Sequence, residues 1–191
     1  MNRLLVTILV SLAAGCATVS VKKVETGTQG VGDRMQLTLD GPWNHIDSSR
    51  MGPAQTWTME GLPIDQLLVY SGIKNEQLVH AESGGGRKSF AFRSAMQPDE
   101  IVAMFEGMLT RDGSTFKLVK LEPAAFGGEK GFRFEYSLIR KGDNVQLSGL
   151  CYGAISKGEL FAVLYLAPRL GFYPRHQPRV EQIARSARIK S

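Results

Sequence analysis

Hydrophobic and polar positions change their period several times along this chain, and each change marks an element. Short alternating stretches come first: Arg34 to Leu39, stopped by Asp40-Gly41-Pro42, then Gln55 to Glu60 and Ile64 to Tyr70, separated by Gly61-Leu62-Pro63. These read as strands. Lys88 to Arg93 follows a Ser83-Gly84-Gly85-Gly86 loop and reads as another, with Phe90 and Phe92 on one face. The spacing then becomes helical from Pro98 to Arg111, where Ile101, Val102, Met104, Phe105, Met108 and Leu109 form one apolar stripe. Pro98 suits a first helical position, Asp99 and Glu100 complement the helix dipole, and Gly113 marks the exit.

Four strand patterns follow without interruption: Thr115 to Leu121, Gly131 to Arg140, Val145 to Ile155 and Glu159 to Ala167. Phe132, Phe134, Tyr136 and Leu138 alternate with Arg133, Glu135 and Ser137, so one face of that strand is buried and the other is more polar. Lys141-Gly142-Asp143-Asn144 and Ser156-Lys157-Gly158 are turn chemistry, which makes this part an antiparallel meander. Leu160 to Leu166 is apolar throughout and fits a central strand covered on both faces. Pro178 to Ile189 reads as a closing helix with Val180, Ile183, Ala184 and Ala187 inward. The expected fold is therefore α+β, an antiparallel sheet with at least two covering helices. The order of helix, meander, Ala167-Pro168 strand exit and closing helix through Arg185-Ser186-Ala187-Arg188 resembles the PsbP-like α/β/α sandwich. That layout covers the second half of the chain and carries no functional residue with it. It implies a non-enzymatic accessory or assembly role.

The start of the chain is a different kind of signal. Arg3 precedes an apolar run, Leu4 to Leu12, which ends in Ala13-Ala14-Gly15 and then Cys16. The run is shorter than the ~20 residues a membrane span needs, and a basic start followed by small residues fits a secretory leader. Ala14, Gly15 and Cys16 resemble the last three positions of the lipobox of bacterial lipoproteins, with Ala13 where that family prefers Leu. The resemblance implies cleavage before Cys16, a diacylglyceryl thioether on its sulfur, and a fatty acyl chain such as palmitate on the new amino terminus. Two or three chains hold a protein stably on a bilayer, at ~0.8 kcal/mol per buried CH₂. Ala17 and Thr18 lack the Asp that retains many such proteins at the inner membrane, so for a Gram-negative source the family rule favours the outer membrane, facing the periplasm.

Composition narrows the rest. A hydrophobic content of 43% with 21% charged residues describes a globular chain, not a disordered one. The net charge of +5 permits anionic partners without requiring them, and the compartment argues against nucleic acid. With the sulfur of Cys16 alkylated, Cys151 has no partner for a disulfide. The expected organisation is a signal peptide over residues 1–15, a lipidated N-terminus and flexible tether over 16–33, and one α+β domain over 34–191. As a random coil the tether would hold that domain about 20–25 Å from the bilayer.

Motifs that imitate chemistry fail on context. Gly149-Leu150-Cys151-Tyr152-Gly153 has the spacing of a nucleophile elbow but continues into a strand instead of a helix. Gly84-Gly85-Gly86-Arg87-Lys88-Ser89 lacks the glycine that a P-loop needs immediately before its lysine. His45, His80 and His176 are far apart and outside any metal-ligand spacing. No catalytic, metal or cofactor residue is therefore expected. Arg169, Phe172, Tyr173, Arg175 and Arg179 interleave cations with aromatics and suit an envelope protein, a glycan or an anionic lipid headgroup. The Trp43 to Trp57 segment is expected to be a loop that lids a pocket or caps the sheet edge. The reading is a non-catalytic, membrane-anchored envelope lipoprotein that acts by binding, as an accessory or assembly factor. The alternative is a carrier of a small apolar or anionic ligand, held in a pocket lined by Phe90, Phe92, Phe105 or Phe132. A third reading is a hydrolase with a site assembled from distant residues.

Overall fold

Leu160 to Leu166 lies where its unbroken hydrophobicity requires, at the centre of a sheet covered on both sides. The computed structural model describes residues 20–47, 52–80 and 90–190. Their strands are β1 (Ser20–Val24), β2 (Gly27–Val31), β3 (Met35–Leu39), β4 (Trp43–Asp47), β5 (Gln55–Thr58), β6 (Gln66–Ile73), β7 (Thr115–Phe126), β8 (Glu129–Ile139), β9 (Gln146–Ser156), β10 (Glu159–Pro168) and β11 (Arg188–Ile189). The helices are α1 (Pro98–Leu109) and α2 (Phe172–Ser186). Eight strands form one antiparallel sheet in the order β1-β4-β5-β6-β10-β9-β8-β7. A second, three-stranded sheet runs β11-β3-β2.

Period-2 alternation divides the large sheet into two faces. On one, Phe132, Phe134, Tyr136, Cys151 and Leu164 pack against Ile101, Val102 and Phe105 of α1. On the other, Leu150, Tyr152, Val163 and Tyr165 pack against Val180, Ile183 and Ala184 of α2, with Met35, Leu37 and Leu39 of the small sheet alongside. Each fully buried side chain of this size contributes about 1.5–3 kcal/mol. The fold is thus α+β, and α1 begins as its sequence requires: Pro98 opens it, and the backbone N–H of Gln97 donates to the Glu100 carboxylate at 2.9 Å.

Several expectations are corrected. Residues 20–24 and 27–31, expected within a flexible tether, are β1 and β2. β1 pairs with β4 from Ser20↔Asp47 to Val24↔Trp43, and β2 pairs with β3. Backbone pairing along an edge, with Val24 alone of β1 packed on the core, supplies the order that hydrophobic periodicity did not announce. The closing helix starts at Phe172, six residues earlier than expected, because Phe172 and Tyr173 pack against the core. Pro174 falls in the first turn, where a missing N–H is harmless, and Pro178 is carried inside the helix. Residues 188–189 leave the helix for β11, whose Arg188 and Ile189 pair with Gln36 and Met35. Of the expected strand at Lys88 to Arg93, residues 88–89 lie outside the described residues, and the remainder makes an isolated bridge, Leu78↔Ala91. Trp43 and Trp57 are not in a loop; they sit on β4 and β5, fully buried beneath α2 and the small sheet.

Candidate binding site

Of the five Arg and aromatic residues singled out in the chain, three attach α2 to the fold. Arg179 donates from Nε to Asp40 at 2.9 Å and from Nη1 to the Met59 sulfur at 3.3 Å. Arg175 lies over the Phe172 ring, 5.4 Å from its centroid, and reaches Glu60 at 3.4 Å. Glu60 also meets the buried His176, whose Nε2 is 2.9 Å from its Oε1. The loop that presents Glu60 is held by buried Asp65, which accepts from the Thr58 hydroxyl at 2.5 Å and from the Glu60 N–H at 2.8 Å. These contacts account for Phe172, Arg175 and Arg179 as struts between α2 and the β3–β4 and β5–β6 connections.

Arg169 and Tyr173 point to the opposite side of α2. Gly171, at φ 84°, turns the chain from β10 into the first residue of the helix. A cleft of about 460 Å³ remains, bounded by Lys117, Val119, Ser137, Ser148, Arg169 and Tyr173. Its floor follows from register. Lys117 pairs with Ser137, Ser137 with Ser148, and Ser148 with Ala167, so these side chains share a row on the α2 face. In the adjoining row Thr115 pairs with Ile139 and Ile139 with Gln146, and the Arg169 N–H donates to the Gln146 carbonyl at 2.9 Å. Ile139 therefore lies between the two cations. The Tyr173 ring stacks on Tyr165 at 6.1 Å, and burial pushes its phenol pKa upward.

The electrostatics beneath α2 are internally balanced. Arg133, with only 11% of its side chain exposed, donates to the Tyr152 hydroxyl at 2.9 Å, to Glu122 at 3.0 Å and to Glu181 at 2.9 Å, and lies 2.6 Å from Glu135. Burial alone would lower its pKa, but the hydrogen bonds to Glu135 and Glu181 outweigh it and raise the pKa. Lys120 is 2.6 Å from Glu122, and Arg185 is 2.9 Å from Glu181. Lys117 and Arg169, by contrast, are exposed and have no ion-pair partner among the described residues. The apolar surface is equally uneven. Five large hydrophobic side chains are exposed among the described residues, and four of them, Leu118, Val119, Ile139 and Leu170, surround this end of the sheet. Val119 is 61% exposed and Leu170 78%.

The sequence pointed to Arg169 and Tyr173 but not to Lys117, Val119, Ile139 or the serines. A local signal existed: Leu118 and Val119 are adjacent, where alternation allows one inward side chain, and β7 shifts register between Leu118 and Lys120.

The motifs set aside on context fall where context put them. Cys151 is buried in the middle of β9, burial raises its thiol pKa, and the strand runs straight through Gly149 and Gly153. The carboxylates with lowered pKa each have a local partner. Glu122 is held down first by its hydrogen bond with Lys120, and Asp143 by Arg140; at Asp112 burial acts upward but the hydrogen bonds from Ser114 outweigh it. Phe90, Phe92, Phe105 and Phe132 do not share a pocket. Phe92 and Phe105 are fully buried in the α1 layer, while Phe90 and Phe132 border separate surface grooves. Cys16, the residue expected to carry lipid, lies outside the described residues, as does the Gly84–Gly86 loop.

No family model matches the chain, and no curated protein does. Among solved structures, cyanobacterial PsbP (CyanoP) from Synechocystis sp. PCC 6803 aligns over 96% of this chain and 99% of its own, at a TM-score of 0.58 and 15% identity. The architecture is therefore PsbP-like. LpqN of Mycobacterium tuberculosis, involved in cell envelope biogenesis, aligns over 94% of this chain and 88% of its own at 15% identity. Its TM-score of 0.40 is too low for any argument to rest on it.

Proposed function

We propose that this protein is a lipid-anchored lipoprotein of the bacterial cell envelope that acts by binding, as an accessory or assembly factor facing the periplasm. The observation that carries the binding role is the segregation of surface chemistry. Polar groups under α2 neutralise one another, whereas Lys117, Arg169 and four exposed aliphatic side chains gather at one end of the sheet. Such a patch is unusual on a monomer and characteristic of recognition surfaces. The anchor rests on the leader pattern from Arg3 to Cys16.

The strand at Ser20 changes what such an anchor does. Ser20 follows Cys16 by four residues, which span at most about 14 Å even fully extended. A lipid at Cys16 would hold the β1 edge close to the bilayer, where exposed Val21 and Lys22 meet the headgroup region. Across eight strands the β7 edge lies about 34 Å away, turned from the membrane. Replacing Cys16 by Ser tests this reading: the variant should leave the membrane fraction while keeping its unfolding midpoint. Retention of C16S on membranes at the wild-type level would overturn the anchor.

A further inference from the structure

We infer that the cleft between the start of α2 and strands β7 to β9 docks an extended segment of a partner protein. That segment carries two carboxylates about four residues apart, with apolar side chains around them. The inference rests on the binding role proposed above and names its occupant.

The two cations set the charge and the spacing. Lys117 and Arg169 stand at opposite ends of the cleft, three strand gaps and two residues apart, or about 15 Å between backbones. An extended peptide rises about 3.3 Å per residue, so that distance spans four to five residues. Side chains four apart in such a segment share a face and can meet both cations. Between these points Ser137 and Ser148 supply hydroxyls for peptide groups, and exposed Ile139, one row along from Ser137, borders the cleft with an apolar contact. Leu118, Val119 and Leu170 form apolar rims.

The same features disfavour other ligands. A membrane surface calls for a cluster of cations, whereas here two stand far apart and the Glu135 carboxylate, bound to Arg133, lines the same cleft. A second copy of the chain would bring the same unpaired lysine and arginine and would be repelled.

The test uses the full mature protein reconstituted in phosphatidylcholine vesicles and a fluorescein-labelled peptide of leucine, valine and threonine with two glutamates four apart. Fluorescence anisotropy should show saturable binding that weakens about tenfold in the charge-reversed K117E/R169E protein. It should weaken similarly in V119S/I139S, an uncharged variant of the same surface, and stay unchanged in K22E at the opposite edge. A peptide with lysines at the two acidic positions should bind K117E/R169E and not the wild type. Circular dichroism and the unfolding midpoint confirm that each variant is folded; all four side chains are exposed. Absence of binding, equal binding by wild type and K117E/R169E, or indifference to glutamate spacing would overturn the inference. So would displacement of the peptide by phosphatidylglycerol vesicles or muramyl glycan fragments. Co-flotation with the vesicles reads the anchor separately, so a failed anchor and a failed docking site give different results.

Discussion

Replacing Arg133 by Met asks whether the charge beneath α2 holds helix and sheet together. Methionine keeps a long apolar stem over Tyr152, where the guanidinium lies 5.5 Å from the ring centroid, and removes the charge and its donors. Three carboxylates then lose a partner. Glu122 retains Lys120 and Glu181 retains Arg185, while Glu135 loses its ion-pair partner. Removing one partner from a buried ion network costs 3–5 kcal/mol in general. Here the carboxylate side chains stay about a fifth to a third exposed, which points to the lower end, about 3 kcal/mol. For a domain of this size that lowers the thermal midpoint by about 6–12 °C. Urea titration at neutral pH should show the loss with an unchanged slope. The effect should also depend on pH. The folded pKa of Glu122 is depressed, by Lys120 first and also by Arg133, so its stabilisation is present above the ordinary glutamate pKa and is lost as pH falls through the folded value. Stability curves of wild type and R133M should therefore draw closer as pH falls below the ordinary glutamate range, about 4.3. A deficit under about 1 kcal/mol at pH 7, or one equally large at pH 3.5, would refute the reasoning.

Three further outcomes follow from local geometry. Gly131→Ala places a Cβ against the Gly153 carbonyl of the neighbouring strand and should cost about 2 kcal/mol or more in urea titration, whereas Gly142→Ala, which meets nothing, should stay within about 0.5 kcal/mol. Asp65→Ala strands the Thr58 hydroxyl and the N–H groups of Met59 and Glu60, so it should cost about 2–3 kcal/mol and speed hydrogen exchange at those two amides. Cys151, its thiol pKa raised by burial, should react with Ellman's reagent only as fast as the native protein opens, and rapidly in denaturing urea; fast labelling of the native protein would contradict the fold.

How much could be read in advance depended on whether a residue's role was local. The meander from β7 to β10 was legible because alternation and turn chemistry agree: Phe132 to Leu138 face one layer, and Lys141 to Asn144 close the hairpin. α1 was legible from Pro98, Asp99 and one apolar stripe. β1 was not, since it is an exposed edge strand whose burial shows no period. α2 was misplaced because Pro178 suits a first turn, while the packing of Phe172 and Tyr173 that extends the helix is tertiary. The cleft was half legible. An Arg/Tyr pair after β10 is visible along the chain, but the row of Lys117, Ser137 and Ser148 exists only once three strands are in register.

The mass of the mature amino terminus tests the lipid anchor most directly. Protein extracted from membranes and fragmented from its N-terminus should begin at Cys16 and carry a diacylglyceryl thioether on that sulfur. A chain that retains residues 1–15, or begins at Cys16 with an unmodified thiol, would contradict the proposed anchor.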